Sequence, residues 1–265
     1  MVTAEIGWHV VEGCTRISPG CLNCYAADAL RQEGRTFTPR FNTRQLQKPL
    51  QAKRPAVFFV GPFGDLFHEK IPFKFIDAVF EVIKETPRHL YHVLTKRPER
   101  MVSYFEDKGI PQNVWFGVSA ENKEYGEPRI QTLQKLKGRA AVLFVAAEPF
   151  LGDLPAVDLS GIDWLSINKE YGTRARDLDV EAMLRLQKQC ASYGVNVVNM
   201  PPPGTPYAKW GIESCKYLIN KGDDYANIDY YPTIVINGSR YKYWKTRCRN
   251  MAGFAQSNRA SRVQR

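Results

Sequence analysis

The sequence predicts an α/β protein on a parallel sheet, folded as a partial or full (β/α) barrel with a C-terminal β-containing extension. Two observations predict it. Short apolar runs rich in β-branched and aromatic residues alternate with longer amphipathic stretches. The runs recur roughly 25–30 residues apart, which leaves room for a helical crossover between parallel strands.

In chain order, strands are expected at residues 6–11, 56–61, 90–95, 113–118, 141–147, 163–168 and 195–200. Runs such as AVFFVG and AVLFVAA show no polar alternation, the pattern of strands buried on both faces. Helices are expected at 23–31, 73–84, 97–105, 129–136 and 180–193. The second is the clearest, because Phe75, Ile76, Val79, Phe80 and Ile83 fall on one helical face. Right-handed crossovers would join these units into one sheet, with the site at the C-terminal ends of its strands. A doubly wound open sheet is the alternative.

Pro201-Pro202-Pro203-Gly204 stops the alternation. The chain is therefore expected to divide into a barrel over residues 1–205 and an extension over 206–265. The extension places Trp210, Tyr217, Tyr225, Tyr230, Tyr231, Tyr241, Tyr243 and Trp244 among basic residues. A strand at 233–237, a turn at Asn237-Gly238 and a partner at 240–244 read as a hairpin. The aromatic and basic mixture suits stacking on bases and holding phosphates, and it is equally ordinary hairpin packing.

With 265 residues, 44% of them hydrophobic, the chain can bury a substantial core. No stretch approaches the roughly 18–20 apolar residues of a membrane span, and the N-terminus does not read as a signal peptide. No membrane partner is expected, and the expected compartment is the cytoplasm. The 37 Lys+Arg against 27 Asp+Glu give a net charge of +10, with much of the excess in residues 240–265. That balance favours a polyanionic partner such as nucleic acid or a nucleotide derived from it.

Three of the six cysteines crowd into Gly13-Cys14-Thr15-Arg16-Ile17-Ser18-Pro19-Gly20-Cys21-Leu22-Asn23-Cys24-Tyr25-Ala26. A cluster this tight reads as metal or redox chemistry. Three thiolates from one loop suit a [4Fe–4S] cluster with one iron left open. The spacing also suits a structural zinc with a fourth ligand from elsewhere, such as His9 or a distant cysteine. Buried unliganded thiols are the third reading.

Further blocks follow in order: Asp65-Leu66-Phe67-His68; Leu94-Thr95-Lys96-Arg97-Pro98-Glu99-Arg100; Asn113-Val114-Trp115-Phe116-Gly117-Val118-Ser119; Arg129-Ile130; Glu148-Pro149-Phe150-Leu151-Gly152; and Gly161-Ile162-Asp163-Trp164. With the cysteine loop, this series resembles a phage-associated, radical-SAM-like family of three-cysteine proteins, formerly a domain of unknown function. The cysteine loop with its trailing tyrosine is also similar to that of spore photoproduct lyase, a radical SAM enzyme acting on DNA.

The resemblance implies a [4Fe–4S] cluster on Cys14, Cys21 and Cys24, with S-adenosylmethionine (SAM) on the open iron. It implies reductive cleavage of SAM to methionine and a 5′-deoxyadenosyl radical, which takes a hydrogen atom from substrate. An electron donor of the flavodoxin or ferredoxin type would be needed. A phage relative would act in a host cytoplasm on DNA, modifying or rearranging a base or its substituent. The competing readings are a radical SAM enzyme on a small metabolite or protein side chain, and a zinc-stabilised nucleic-acid-binding module without enzymatic activity.

Five residues after strand ends are expected to touch the cofactor: Asp65, Lys96, Ser119, Glu121 and Glu148. Asp65 with His68 suits the SAM amino group or substrate, or else a helix cap. Lys96 with Arg97 suits a carboxylate or phosphate. Ser119, Glu121 and Asn122 suit ribose hydroxyls or a capping turn. Glu148 ends an apolar run and needs a partner. Beyond Trp164 the chain departs from the family pattern, with Asn168-Lys169-Glu170-Tyr171-Gly172 and then Arg174 and Arg176. Lys169 and Glu170 are expected to be catalytic, on the substrate side.

Overall fold

A computed structural model describes residues 5–171 and 174–198, together with the backbone of two strands at 234–236 and 239–241. The chain divides into two compact units, Met1–Val197 and Val198–Arg265. In chain order the elements through residue 198 are β1 (Glu5–Trp8), β2 (Val11–Gly13), α1 (Tyr25–Gln32), β3 (Arg40–Phe41), α2 (Gln47–Gln51), β4 (Val57–Val60), β5 (Phe63–Gly64), α3 (Phe73–Glu85), β6 (Leu90–Thr95), α4 (Pro98–Tyr104), β7 (Val114–Ser119), α5 (Lys123–Leu133), β8 (Val142–Ala147), β9 (Trp164–Ile167), α6 (Val180–Ser192) and β10 (Asn196–Val198).

Seven strands form one sheet in the order β1-β4-β6-β7-β8-β9-β10. Every ladder from β1 to β9 is parallel. The order advances along the chain and never reverses. A doubly wound sheet requires a reversal, so that alternative is not what the chain adopts. The sheet runs from β1 at one edge to β10 at the other. The closed form of the barrel is therefore corrected to an open sheet among the described residues.

The expected double burial is present, since all six residues of β7 and all six of β8 are buried. On one face Tyr91, Val93, Phe116, Val118, Leu143, Val145, Leu165 and Ile167 join the main core. Helix α3 seals that face with Phe75, Ile76, Val79, Phe80 and Ile83, the periodic set read from the sequence. Phe80 meets Phe105 edge-on at 4.9 Å, and Phe105 meets Phe116 at 5.1 Å. The other face carries an aromatic layer. His92 stacks on Trp115 at 4.7 Å, and Phe144 lies parallel to Trp164 at 4.4 Å. Burial depresses His92 to about 4, so this layer is uncharged at neutral pH.

The strand expected at 6–11 is broken in two. Val10 N donates to Trp8 O, and the chain re-enters extended structure at Val11. β2 then joins a second, small sheet of order β3-β2-β5, which sequence periodicity missed because its strands are only two or three residues long. That small sheet positions the cysteine loop. Helix α5 starts six residues before the expected helix, capped by Asn122, whose side chain accepts from Tyr125 N at 3.2 Å.

In the second unit, β11 (Ile234–Ile236) pairs antiparallel with β12 (Ser239–Tyr241). The Asn237-Gly238 turn, the Pro201–Gly204 break and the aromatic side chains read as a nucleic-acid surface lie outside the described residues.

Candidate functional site

The cysteine loop leaves the small sheet at Gly13. This residue has φ +75°, and a Cβ there would lie 2.2 Å from Thr38 O. Only glycine fits both constraints. Cys14 follows at once, its amide donating to Phe37 O at 3.2 Å. Cys21 closes a short 3-10 turn, and Cys24 is the residue before α1. All three thiols are free and partly exposed, whereas Cys190 is free and buried. At Gly20 the loop presses on the sheet end, and a Cβ there would sit 2.8 Å from Lys96 Nζ.

Arg97 anchors the start of the loop. It is 5% exposed. Its Nε donates to Glu69 at 2.7 Å and its Nη1 to Asp65 at 3.0 Å and Cys14 Sγ at 3.4 Å. Its Nη2 donates to Thr15 Oγ1 at 2.9 Å and Thr15 O at 3.4 Å. His68 completes the anchor. Its Nδ1 accepts from Lys70 N at 3.0 Å, which leaves Nε2 to donate to Thr15 Oγ1 at 2.9 Å. Burial holds His68 below the ordinary histidine range, consistent with that neutral tautomer.

Asp65 spends its carboxylate inside the protein. Oδ1 accepts from Thr95 Oγ1 at 2.7 Å and Phe67 N at 2.9 Å, while Oδ2 accepts from Lys96 N at 3.2 Å and Arg97. It orders the strand end that carries Lys96 and Arg97.

Lys96 and Glu121 face the middle of the loop. Lys96 Nζ lies 3.5 Å from Glu121 Oε1 and 3.5 Å from Ser18 Oγ. Glu121 is fully buried, and its other oxygen accepts from Arg129 at 2.6 Å. Burial raises the carboxyl, but Lys96 and Arg129 outweigh it and hold it below the usual range. Arg129 also donates to the carbonyl of buried Ser119 at 3.0 Å.

The same neighbours divide the thiols. Burial, then Asp65, pushes Cys14 up to about 11 against the pull of Arg97. Burial also acts to raise Cys21, but Lys96 and hydrogen bonds at Ile17 and Ser18 bring it below the ordinary value.

Glu170 clasps the far side of the loop. It is 4% exposed and accepts from Asn23 Nδ2 at 2.9 Å, Arg176 N at 3.0 Å and Arg176 Nε at 2.8 Å. Arg176 Nη2 reaches Pro19 O at 2.9 Å, and Asn23 Nδ2 also donates to Arg174 O at 2.8 Å. This carboxylate is occupied in holding the loop. Burial would raise it, yet the Arg176 and Asn23 bonds lower it to about 2. Because the folded value lies below the unfolded one, the stabilisation is full above pH 5 and is lost as pH falls toward 2. Urea midpoints of wild type and Glu170→Gln should therefore differ fully at pH 6 and by much less at about pH 2.5. Equal differences at both pH values would contradict the clasp.

Glu148 and Lys169 sit elsewhere at the strand ends. Glu148 follows β8 before a cis Pro149 and is partly exposed. Burial raises its carboxyl, with Ser166 and Asn168 beside it opposing the shift. Tyr171 Oη donates to Asn168 Oδ1 at 3.4 Å. Lys169 is exposed, its Nζ 5.9 Å from the centre of the Tyr171 ring.

A family model described as "Protein of unknown function (DUF5131)" matches residues 2–199. The chain belongs to this family. The DUF5131 match spans the sheet and the whole cysteine loop. No curated protein matches. The chain is similar to a solved structure of spore photoproduct lyase complexed with dinucleoside spore photoproduct, at 15% identity over 73% of this chain and 76% of that one, TM-score 0.45. A mutant of that lyase gives 15% identity over 72% and 75%, TM-score 0.49. Another mutant, with bound AdoMet and dinucleoside spore photoproduct, gives 15% over 71% and 74%, TM-score 0.43.

Within this DUF5131 chain the structure brings Asp65, Lys96 and Glu121 to the cysteine loop, and Glu170 to its other side. Among the described residues no three His, Cys, Asp or Glu side chains converge on a point that would hold one metal ion. A [4Fe–4S] cluster distributes its thiolates over separate irons. The donor set suits that anionic group: three free thiols, Lys96 and Arg97 behind them, and the positive end of α1 at Cys24. Sequence reading missed Thr15, Asn23, Arg129 and Arg176 as anchors. A buried acid at a strand end demands a cation, and that signal pointed to Arg129 and Arg176 without choosing them among many basic residues.

Proposed function

We propose that this chain is a radical SAM enzyme on a partial (β/α) barrel, with a [4Fe–4S] cluster on Cys14, Cys21 and Cys24. One observation carries the reading. Three free thiols lie on a single loop that follows β2, the short strand after the first strand of a parallel sheet whose order never reverses. The cluster would supply the electron that cleaves SAM to methionine and a 5′-deoxyadenosyl radical. The chain's own residues do the rest. Arg97, His68 and Thr15 fix the first thiol, Lys96 and Ser18 the second, and the Glu170–Arg176 clasp orients the stretch before the third. Lys96, with Glu121 behind it, offers a cation to the SAM carboxylate. Glu148, whose carboxyl burial raises, faces SAM or substrate from the end of β8.

The substrate in this reading is a nucleic-acid base or a substituent on one, supported by the net charge of +10. An electron donor of the flavodoxin or ferredoxin class would complete the cycle. Anaerobic reconstitution tests the reading. About four irons per chain with matching sulfide are expected, and 5′-deoxyadenosine should form with SAM and dithionite, faster when DNA is added. One zinc without visible absorbance, or no 5′-deoxyadenosine with dithionite present, ends the proposal. Stimulation by a small metabolite but not by DNA would move the substrate class.

A further inference from the structure

We infer that Arg97 sets the reduction potential of the cluster through its hydrogen bond to Cys14; this rests on the cluster reading above. The three thiols stand in different surroundings. Cys21 has the neutral Ser18 hydroxyl at 3.6 Å with the Lys96 ammonium behind it, and Cys24 precedes α1. Cys14 faces a guanidinium, with Arg97 Nη1 at 3.4 Å from its sulfur. Arg97 is clamped in place by Glu69, Asp65 and Thr15, so its plane cannot turn away.

The same Nη1 stands between Cys14 and the Asp65 carboxylate, binding both. Without Arg97, the Asp65 carboxylate would act on the sulfur without that opposing charge. A donor to a ligating sulfur stabilises the more negative, reduced cluster and raises its potential. Arginine remains charged at every working pH, so this bias does not fade with pH. Arg97 is thus a positioning residue with an electrostatic consequence. It makes the cluster easier to reduce by one electron, here supplied by dithionite.

The test is an anaerobic dithionite titration of the reconstituted protein without SAM, followed by electron paramagnetic resonance. Arg97→Gln should lower the equilibrium constant for one-electron reduction at least tenfold, about 59 mV. Arg97→Lys keeps the charge, loses the fork and should fall between. Asp65→Asn with Arg97→Gln removes the pair together and guards against misfolding from a lone buried carboxylate. It should also titrate below wild type. Arg139→Gln controls for net charge, because among the described residues Arg139 donates to the carbonyls of Phe105, Glu106 and Lys108, away from the loop. It should titrate as wild type.

Variants at Arg97 that hold full iron and titrate as wild type overturn the inference and leave the proposed function standing. An equal drop in Arg139→Gln overturns it too, by assigning the effect to overall charge. Loss of iron from every Arg97 variant, lysine included, overturns it by assigning the residue to loop retention. A wild-type protein that takes up no cluster ends both readings, and that result is visible before any variant is made.

Discussion

Alanine at Cys14, Cys21 or Cys24 is expected to cut 5′-deoxyadenosine formation to background, a loss of more than about 100-fold, since removing even the partners of metal ligands costs 10–100-fold. The three positions are not interchangeable in environment, yet each should be indispensable. A cluster held by three thiolates and left open at its fourth iron has no spare protein ligand. Cys190→Ala is the matched control. Cys190 is a fully buried residue of α6 packed in the core, so its replacement should leave product formation unchanged. Iron content, visible absorbance and 5′-deoxyadenosine should fall together in the three loop variants. Retained iron and product in any one of them would remove that cysteine from the ligand set.

The second large effect is expected at Gly13, a residue with no functional atom of its own. Gly13→Ala must place a methyl group 2.2 Å from Thr38 O and 2.4 Å from Thr38 C while holding φ at +75°. Thr38 is backbone on the facing segment and cannot rotate aside. Strain and overpacking together should cost roughly 2–4 kcal/mol. The chain escapes by shifting β2, which carries Cys14 with it. Urea unfolding should show the lower stability, and the folded fraction should hold less iron than wild type. Alanine here with unchanged stability and iron would mean that the turn out of the small sheet does not position the loop.

Much of the scaffold was legible because apolar runs and helical spacing are local signals. The strand at Leu90–Thr95 and the helix beginning at Phe73 fall where the pattern places them. The small sheet was not legible, since strands of two or three residues carry no period. The cysteine trio was plain in spacing, but its setting was not. Thr15 meets His68 across 53 residues and Arg97 across 82, and Asn23 meets Glu170 across 147. Nothing in the sequence reports such pairings. Glu170 is an example. Expected to be catalytic from its place on the substrate side, it binds Asn23 and Arg176. One clue was available, because an acid so near two arginines is more readily a structural partner than a free base.

The clasp also bears on how the protein matures. The cysteine loop precedes in sequence every group that shapes it, at residues 65–69, 96–97, 121 and 170–176. Until synthesis passes Arg176, the far side of the loop lacks its clasp. On the proposed cluster reading, cofactor insertion therefore follows the synthesis of Arg176. A truncated product ending before β9 would carry all three cysteines and lack the Glu170–Arg176 clasp.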